Sequence, residues 1–358
     1  MGSRVVVAMS GGVDSSVAAA LLVDAGYEVI GVMMRLWAEG ENRCCAPEAV
    51  EDARRVAAGL GIPFYLVNYE AEFRTCVVDY FLAEYSQGRT PNPCLACNRS
   101  IRFGQLLRHA QALDASHLAT GHYARVERDG TLFWLRMGAD SQKDQSYVLY
   151  MLGQDELRQV LFPVGSYRKS EVREIARKRG LAVAFKDESM ELCFVADDDY
   201  RRFLQKHAPQ AVAPGPILDT SGREIGRHRG LPFYTVGQRR GLGRLARDRS
   251  GRAGRPVPFY VIRLDVAHNA LIAGPIDELG RHNLLAREVS YVAGSVPSGA
   301  VRVQCKIRYK ANLADAIWTP LGDGKAQVEF DSPLRDITPG QAVVAYQGDA
   351  VLGGGIIG

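Results

Sequence analysis

A chain of 358 residues, 47% apolar and 23% charged, has the makeup of an ordinary globular protein sized for two or three domains rather than one small core. Seven cysteines, an odd number in so long a chain, argue against a structural disulfide framework; with no signal-peptide pattern ahead of Ser10 and no apolar run near ~18 residues, a cytoplasmic protein without a membrane partner is expected. The net charge of +4 is modest but uneven: from Arg201 to Tyr260 thirteen Lys or Arg stand against three acids, a stretch on which a polyanion could dock.

In chain order, Val5 to Ala8 reads as a buried strand, Ser15 to Asp24 as a helix stopped by Gly26, and Tyr27 to Met34 as the next strand. Pro47 opens a helix that ends near Gly61, Phe64 to Val67 is a third strand, and Phe73 to Tyr85 has a helical pattern. Two prolines make Thr90-Pro91-Asn92-Pro93 a loop. A helix over Arg102 to Ala110, a strand over His117 to Thr120 and a hairpin through Asp129-Gly130 follow. This alternation predicts an α/β fold, a doubly wound parallel-sheet nucleotide-binding domain over residues 1–207. Residues 208–280, rich in Pro, Gly and Arg, predict a small, basic, loop-rich central domain. Residues 281–358, with β-rich runs at Val301 to Tyr309, Ala326 to Phe330 and Gln341 to Tyr346, predict a small C-terminal β domain, a barrel or, as the alternative, a sandwich.

The first strand runs straight into Ser10-Gly11-Gly12-Val13-Asp14-Ser15-Ser16 and a helix. Glycines let the backbone approach a phosphate, and hydroxyls and N–H groups at a helix start supply donors. The alternative is an ordinary strand-to-helix turn. Neither a Walker lysine nor G-x-G-x-x-G is present in the loop, which disfavours GTPases and dinucleotide enzymes. Gly121-His122 ends a strand on the side where such sheets bind ligands.

Cys94-Leu95-Ala96-Cys97 follows the proline loop and precedes Asn98-Arg99 at a helix start, a setting that lowers thiol pKa. Alone it is equally half a zinc site or a redox pair, though the adjacent Cys44 and Cys45 make awkward zinc partners. Cys193, in Glu191-Leu192-Cys193-Phe194-Val195, reads locally as a buried thiol. Arg308-Tyr309-Lys310 combines cations with an aromatic face, and the arginines around Gln238-Arg239-Arg240-Gly241 invite phosphates.

The loop resembles the SGG-x-DS loop of ATP pyrophosphatases. By that resemblance Ala8, Met9, Ser10, Gly11, Gly12, Val13, Asp14 and Ser15 would wrap the phosphates of ATP, with Asp14 helping to hold Mg²⁺. Met34 would lie against the adenine, and Gly121 would let the nucleotide approach. Taken together, SGGVDSS, GRTPNPCLACN, ATGHYAR, KDQSY and ELCFV are similar to the motifs of tRNA-specific 2-thiouridylases. That resemblance implies adenylation of the O2 of the wobble uridine, then persulfide transfer to C2, with AMP and diphosphate as products. It implies Cys97 as nucleophile and Cys193 as persulfide carrier, joined in a disulfide at the end of each turnover. A persulfide-carrying donor protein and a thiol reductant are the implied partners besides tRNA. The family's tRNA contacts fall on Asn92, Pro93, Cys94, His122, Lys143, Asp144, Gln145, Arg308, Tyr309 and Gln341. One departure stands out: familiar members carry Asp, with an acid–base role, where this chain has Cys94. The three thiols of Cys94, Cys97 and Cys193 therefore also offer a ligand set for a [4Fe–4S] cluster. Rival readings are a small-molecule synthetase of the same superfamily, which leaves the cysteines unexplained, and a non-catalytic RNA binder, which leaves the phosphate loop idle.

Overall fold

The computed structural model describes residues 2–39, 46–186, 192–243, 245 and 257–358; Cys44 and Cys45, Asp187 to Glu191, and most of the arginine run after Arg240 lie outside them. The parallel sheet is built from β1 (Arg4–Met9), β2 (Glu28–Arg35), β3 (Phe64–Asn68), β4 (His117–Ala119) and, later in the chain, β7 (Val160–Leu161), in the order β3-β2-β1-β4-β7. The β-branched run of β1 alternates between two cores, as a pleated strand must. Val5, Val7 and Met9 face the helices Val13–Asp24, Pro47–Leu60 and Lys169–Lys178. Val6 and Ala8 face the opposite layer, which contains Phe73, Phe81, Ile101 and Leu106. Strand order reverses between β1 and β4, so the crevice of this sheet opens at their C-terminal ends.

The two helices of that second layer are longer than sequence periodicity suggests. The first covers residues 70–86 and the second 93–112, each widening mid-course into π-helical geometry, at Arg74–Asp79 and Cys97–Leu106. Pro93 is the first residue of the second helix rather than part of the loop; a proline fits there because its missing N–H would have no helical partner.

A second departure concerns the hairpin β5 (Ala124–Asp129) and β6 (Leu132–Met137), expected inside the α/β domain. It joins the C-terminal sheet instead. That sheet comprises β12 (Arg281–Tyr291), β13 (Val301–Lys306), β14 (Ala314–Gly322), β15 (Lys325–Leu334), β16 (Ala342–Gln347) and β17 (Ala350–Ile357). These six strands close into a barrel through β12–β17 pairing, and the hairpin attaches where Ala350 of β17 pairs with Arg136 of β6. Arg125 and Arg136 each bridge Glu127 and Asp349, a ring of four charges at that seam. The central unit is a four-stranded sheet of β8 (Gly215–Leu218), β9 (Glu224–His228), β10 (Tyr260–Asp265) and β11 (Ala270–Gly274) in the order β10-β11-β8-β9. No described helix is long and apolar enough to cross a membrane.

Candidate active site

The phosphate loop sits at the switch point of the parallel sheet. Gly11 takes φ of +68°, and a Cβ there would meet the carbonyl oxygen of Ala49 at 2.3 Å, so the turn demands glycine. The Ser15 hydroxyl accepts the Ser10 amide at 3.2 Å, and the Ser16 hydroxyl donates to the Gly12 carbonyl at 2.8 Å. The result is a hydroxyl-bearing bend at the N-terminus of the helix Val13–Asp24, where the helix dipole favours an anion. Gly121 stands across from it at the end of β4. A Cβ on Gly121 would meet the Ser15 amide nitrogen at 2.7 Å, so its lack of a side chain is first required by the loop itself. Met34 is buried at the end of β2.

The loop contains no cation, yet two lysines from distant sequence reach it. Lys169 Nζ lies 2.7 Å from both carboxylate oxygens of Asp14, and the Tyr123 hydroxyl donates to Asp14 at 2.7 Å. Lys186 Nζ donates to the Gly11 carbonyl at 3.0 Å and to Asp52 at 2.8 Å. Neither lysine carries a local motif; Lys169 is brought in as the first residue of the helix Lys169–Lys178, which packs in the same core as the first helix, and Lys186 arrives from the turns after that helix. Asp14 is therefore engaged by Lys169, and a Mg²⁺ ion, which uses one or two carboxylates plus substrate phosphates, would share it with that cation.

The cysteines lie in the second helical layer. Asn92 caps the helix that begins at Pro93, its side-chain oxygen accepting the Cys94 amide at 3.1 Å. Cys94 is exposed, whereas Cys97 is buried where the helix turns π-helical. Asn98, wholly buried, donates to the Val148 carbonyl at 2.8 Å and fixes the helix against residues 146–149. Cys193 is half-buried and packs against the same hydrophobic cluster that contains Cys97. Among the described residues no three His, Cys, Asp or Glu side chains stand together as a metal-holding group. The ligand set expected from Cys94, Cys97 and Cys193 is thus not assembled in this structure, and no step is derived through a cluster.

Several residues expected to meet RNA make contacts within the protein. His122 is buried beside Phe103 and Phe162, with Nδ1 2.7 Å from the Thr120 hydroxyl. Burial, with the charge of Arg102 nearby, pushes its pKa down to about 3, so the ring is neutral. Asp144 is buried and pairs with Lys306 of β13 at 3.0 Å while accepting the Gly138 and Ser146 amides. Gln145 is tied to Tyr123 through its side chain and its backbone. Arg308 donates to the Val236 carbonyl and to Thr338, and Gln341 donates to the Thr90 carbonyl at 2.8 Å. Thr90 also receives support from the Pro339 carbonyl, at 2.8 Å from its amide, and from Thr235, at 3.1 Å between hydroxyls. The proline loop ahead of Cys94 is therefore seated on the barrel and on the central unit at once. Tyr309 is half-buried near Tyr147, Lys143 is half-buried, and Arg239 and Arg240 are exposed.

Three family patterns match the chain in succession: a tRNA methyl transferase HUP domain over residues 3–197, a tRNA methyl transferase PRC-barrel domain over 201–275 and an aminomethyltransferase beta-barrel domain over 281–357. The chain is 53% identical to the tRNA-specific 2-thiouridylase MnmA of Moorella thermoacetica, covering 98% of each chain. It is 49% identical to the protein of the same name from Roseiflexus castenholzii, covering 99% of each. Among solved structures, the U34-tRNA thiolase NcsA from Methanococcus maripaludis with its [4Fe-4S] cluster is similar at a TM-score of 0.36 and 21% identity, over 58% of this chain and 67% of that one. With the glycine turn, the two-cysteine helix and the closing barrel joined in one molecule, and with full-length identity near one half, the chain belongs to the tRNA-specific 2-thiouridylase family.

Proposed function

We propose that this protein is an ATP-dependent sulfurtransferase that converts the wobble uridine of a tRNA to 2-thiouridine. The observation that carries this reading is the pairing, in one crevice-forming domain, of a phosphate loop with two cysteines that border one hydrophobic cluster, in a chain 53% identical to a 2-thiouridylase along its whole length. Residues 8–15, with Lys169 and Lys186, would hold ATP, and Asn92, Pro93 and Cys94 would present the flipped uridine. A Mg²⁺ ion shared by Asp14 and the diphosphate would neutralise charge on the leaving group.

The uridine O2 attacks the α-phosphorus and diphosphate leaves, which turns a poor leaving group into a good one. The terminal sulfur of a Cys193 persulfide then attacks C2, and the C2–O2 bond breaks to release AMP. The Cys97 thiolate attacks Sγ of Cys193, the persulfide S–S bond breaks, and a Cys97–Cys193 disulfide forms. A thiol reductant restores both thiols, and a persulfide-carrying protein reloads Cys193. Lys143, Arg308, Tyr309 and the exposed Arg239 and Arg240 would lie along the RNA.

The test is nucleoside mass spectrometry of a tRNA transcript incubated with ATP, a low-molecular-weight persulfide as sulfane-sulfur donor and the protein. The parent should form 2-thiouridine at the wobble position, and neither Cys97→Ser nor Cys193→Ser should. Product from Cys193→Ser would remove that thiol from the mechanism; a dependence of turnover on stoichiometric iron would replace the persulfide route.

A further inference from the structure

The segment carrying Cys193 is held from two sides. The Phe194 ring packs edge-on against Phe73, Phe81 and Phe203, with centroids 6.1, 5.3 and 5.4 Å away. The Phe194 carbonyl accepts the backbone N–H of Glu39 at 3.2 Å. Glu39 lies in the stretch leaving β2 just beyond Met34 and Leu36, so this bond ties the nucleotide end of the sheet to the residue after Cys193.

The Glu39 carboxylate gathers an arginine, a lysine and an imidazole. Arg202 donates from both terminal nitrogens at 3.0 and 2.5 Å, Lys206 lies at 2.7 Å and His207 Nε2 at 3.4 Å. All three come from the helix Tyr200–His207, which begins seven residues after Cys193. Arg202 is also held by Asp197 at 2.5 Å, and Trp37 meets Phe203 and His207 edge-on. The Arg202 hydrogen bond outweighs burial, and with Lys206 it holds the Glu39 carboxyl at about 2, so the group is ionised at neutral pH. A carboxylate only 9% exposed is costly to desolvate unless its partners are well placed, and here they are all on one helix. The sheet does not need it, because β2 has already ended at Arg35.

We propose that Glu39 is a positioning residue for sulfur transfer: its carboxylate fastens the helix Tyr200–His207 to the end of β2 and so sets where the Cys193 segment stands relative to the bound nucleotide. The proposal rests on the reading of Cys193 as sulfur carrier. Its contacts run to residues 194, 202, 206 and 207, so the sulfur-transfer half of the reaction depends on it and adenylation does not.

The experiment compares the parent with Glu39→Gln and Glu39→Asp, using a tRNA transcript with a wobble uridine, ATP and a low-molecular-weight persulfide as sulfur donor. Three quantities are read: tRNA-dependent diphosphate release, 2-thiouridine formed, and the rate of Cys193 alkylation by iodoacetamide, followed by peptide mass spectrometry. For Glu39→Gln, release should stay within about twofold of the parent, 2-thiouridine formation should fall about tenfold, and Cys193 alkylation should change at least ~threefold, since small misplacements of a reacting group are magnified in rate. Glu39→Asp, which keeps the charge, should lie between. Unchanged alkylation of Cys193 in Glu39→Gln overturns the proposal, and so does an equal loss of diphosphate release and product. Should Glu39→Gln fail to fold, Lys206→Met, which removes a 60% exposed arm of the clasp, should shift the same readouts in the same direction. Cys193→Ser run alongside keeps the two ideas apart: if it still makes 2-thiouridine while Glu39→Gln alters Cys193 alkylation, the sulfur-carrier reading falls and the clasp stands.

Discussion

His122 stands in the ATGHYAR motif at a strand end facing the nucleotide crevice, yet its ring is enclosed by Phe103, Phe162 and Thr120. Its role is fixed by burial rather than by the imidazole's usual readiness to titrate. An unfolded chain takes a proton on this ring below about pH 6.5, whereas the folded protein resists doing so until about pH 3. The neutral ring's contribution to stability is therefore complete above pH 6.5 and is lost as pH falls from there toward 3, at up to ~1.4 kcal/mol per pH unit. Urea midpoints at pH 7 and pH 5 should differ more for the parent than for His122→Gln. Equal differences would mean that the ring is hydrated and titrates normally.

Contact between elements governs the phosphate loop. The end of β4 and the first turn of the helix Val13–Asp24 touch through Gly121, where an added methyl would sit 2.7 Å from the Ser15 nitrogen and 2.8 Å from the Asp14 carbonyl carbon. Both of those atoms are backbone, so relief requires the helix start to move. If the loop holds ATP as proposed, Gly121→Ala should raise the KM for ATP about tenfold or more, by displacing donors that would meet phosphate oxygens closely. Steady-state diphosphate release at varied ATP measures it, and an unchanged KM would show that the turn yields without cost. The ring of Arg125, Arg136, Glu127 and Asp349 acts at the same scale, locking a hairpin of the first domain onto the last strand. Because its side chains are only partly covered, that ring contributes register more than stability.

Across the whole molecule, the junction of the α/β domain with the barrel rests on a buried pair. Asp144 is 2% exposed and Lys306 11%, at 3.0 Å, and Tyr147 adds a hydroxyl bond to the Ala342 carbonyl at 2.9 Å. Removing one partner strands the other charge, so Lys306→Met should cost ~3–5 kcal/mol in unfolding free energy, and Asp144→Asn added to it should recover part of the loss. Urea denaturation checks this; a loss under ~1 kcal/mol would mean that water reaches the pair. The same junction carries the proline loop ahead of Cys94. Thr90 is bonded to Pro339, Gln341 and Thr235, and Gly340 leaves room that a side chain would close, its Cβ 2.9 Å from the Thr90 nitrogen.

How much of this was legible in residues alone depended on range. The strand, glycine turn and helix from Arg4 to Asp24 are specified by neighbours: an unbroken β-branched run, a glycine forced to positive φ, hydroxyls at a helix start. The order of motifs identified the family, whereas Asn92 and Pro93, which read as loop from the residues, are corrected by the structure to the cap and first position of a helix. Only tertiary structure decided that Lys169, 155 residues from Asp14, and Lys186, 175 residues from Gly11, would furnish the loop's cations. It alone placed the hairpin Ala124 to Met137 on the barrel, turned Asp144 inward to Lys306, and drew Glu39 to a helix 163 residues on. A local pattern records what a residue does to its own backbone and to one face of its element. Which distant charge satisfies a buried group is settled only when the packed elements leave it a single partner within reach.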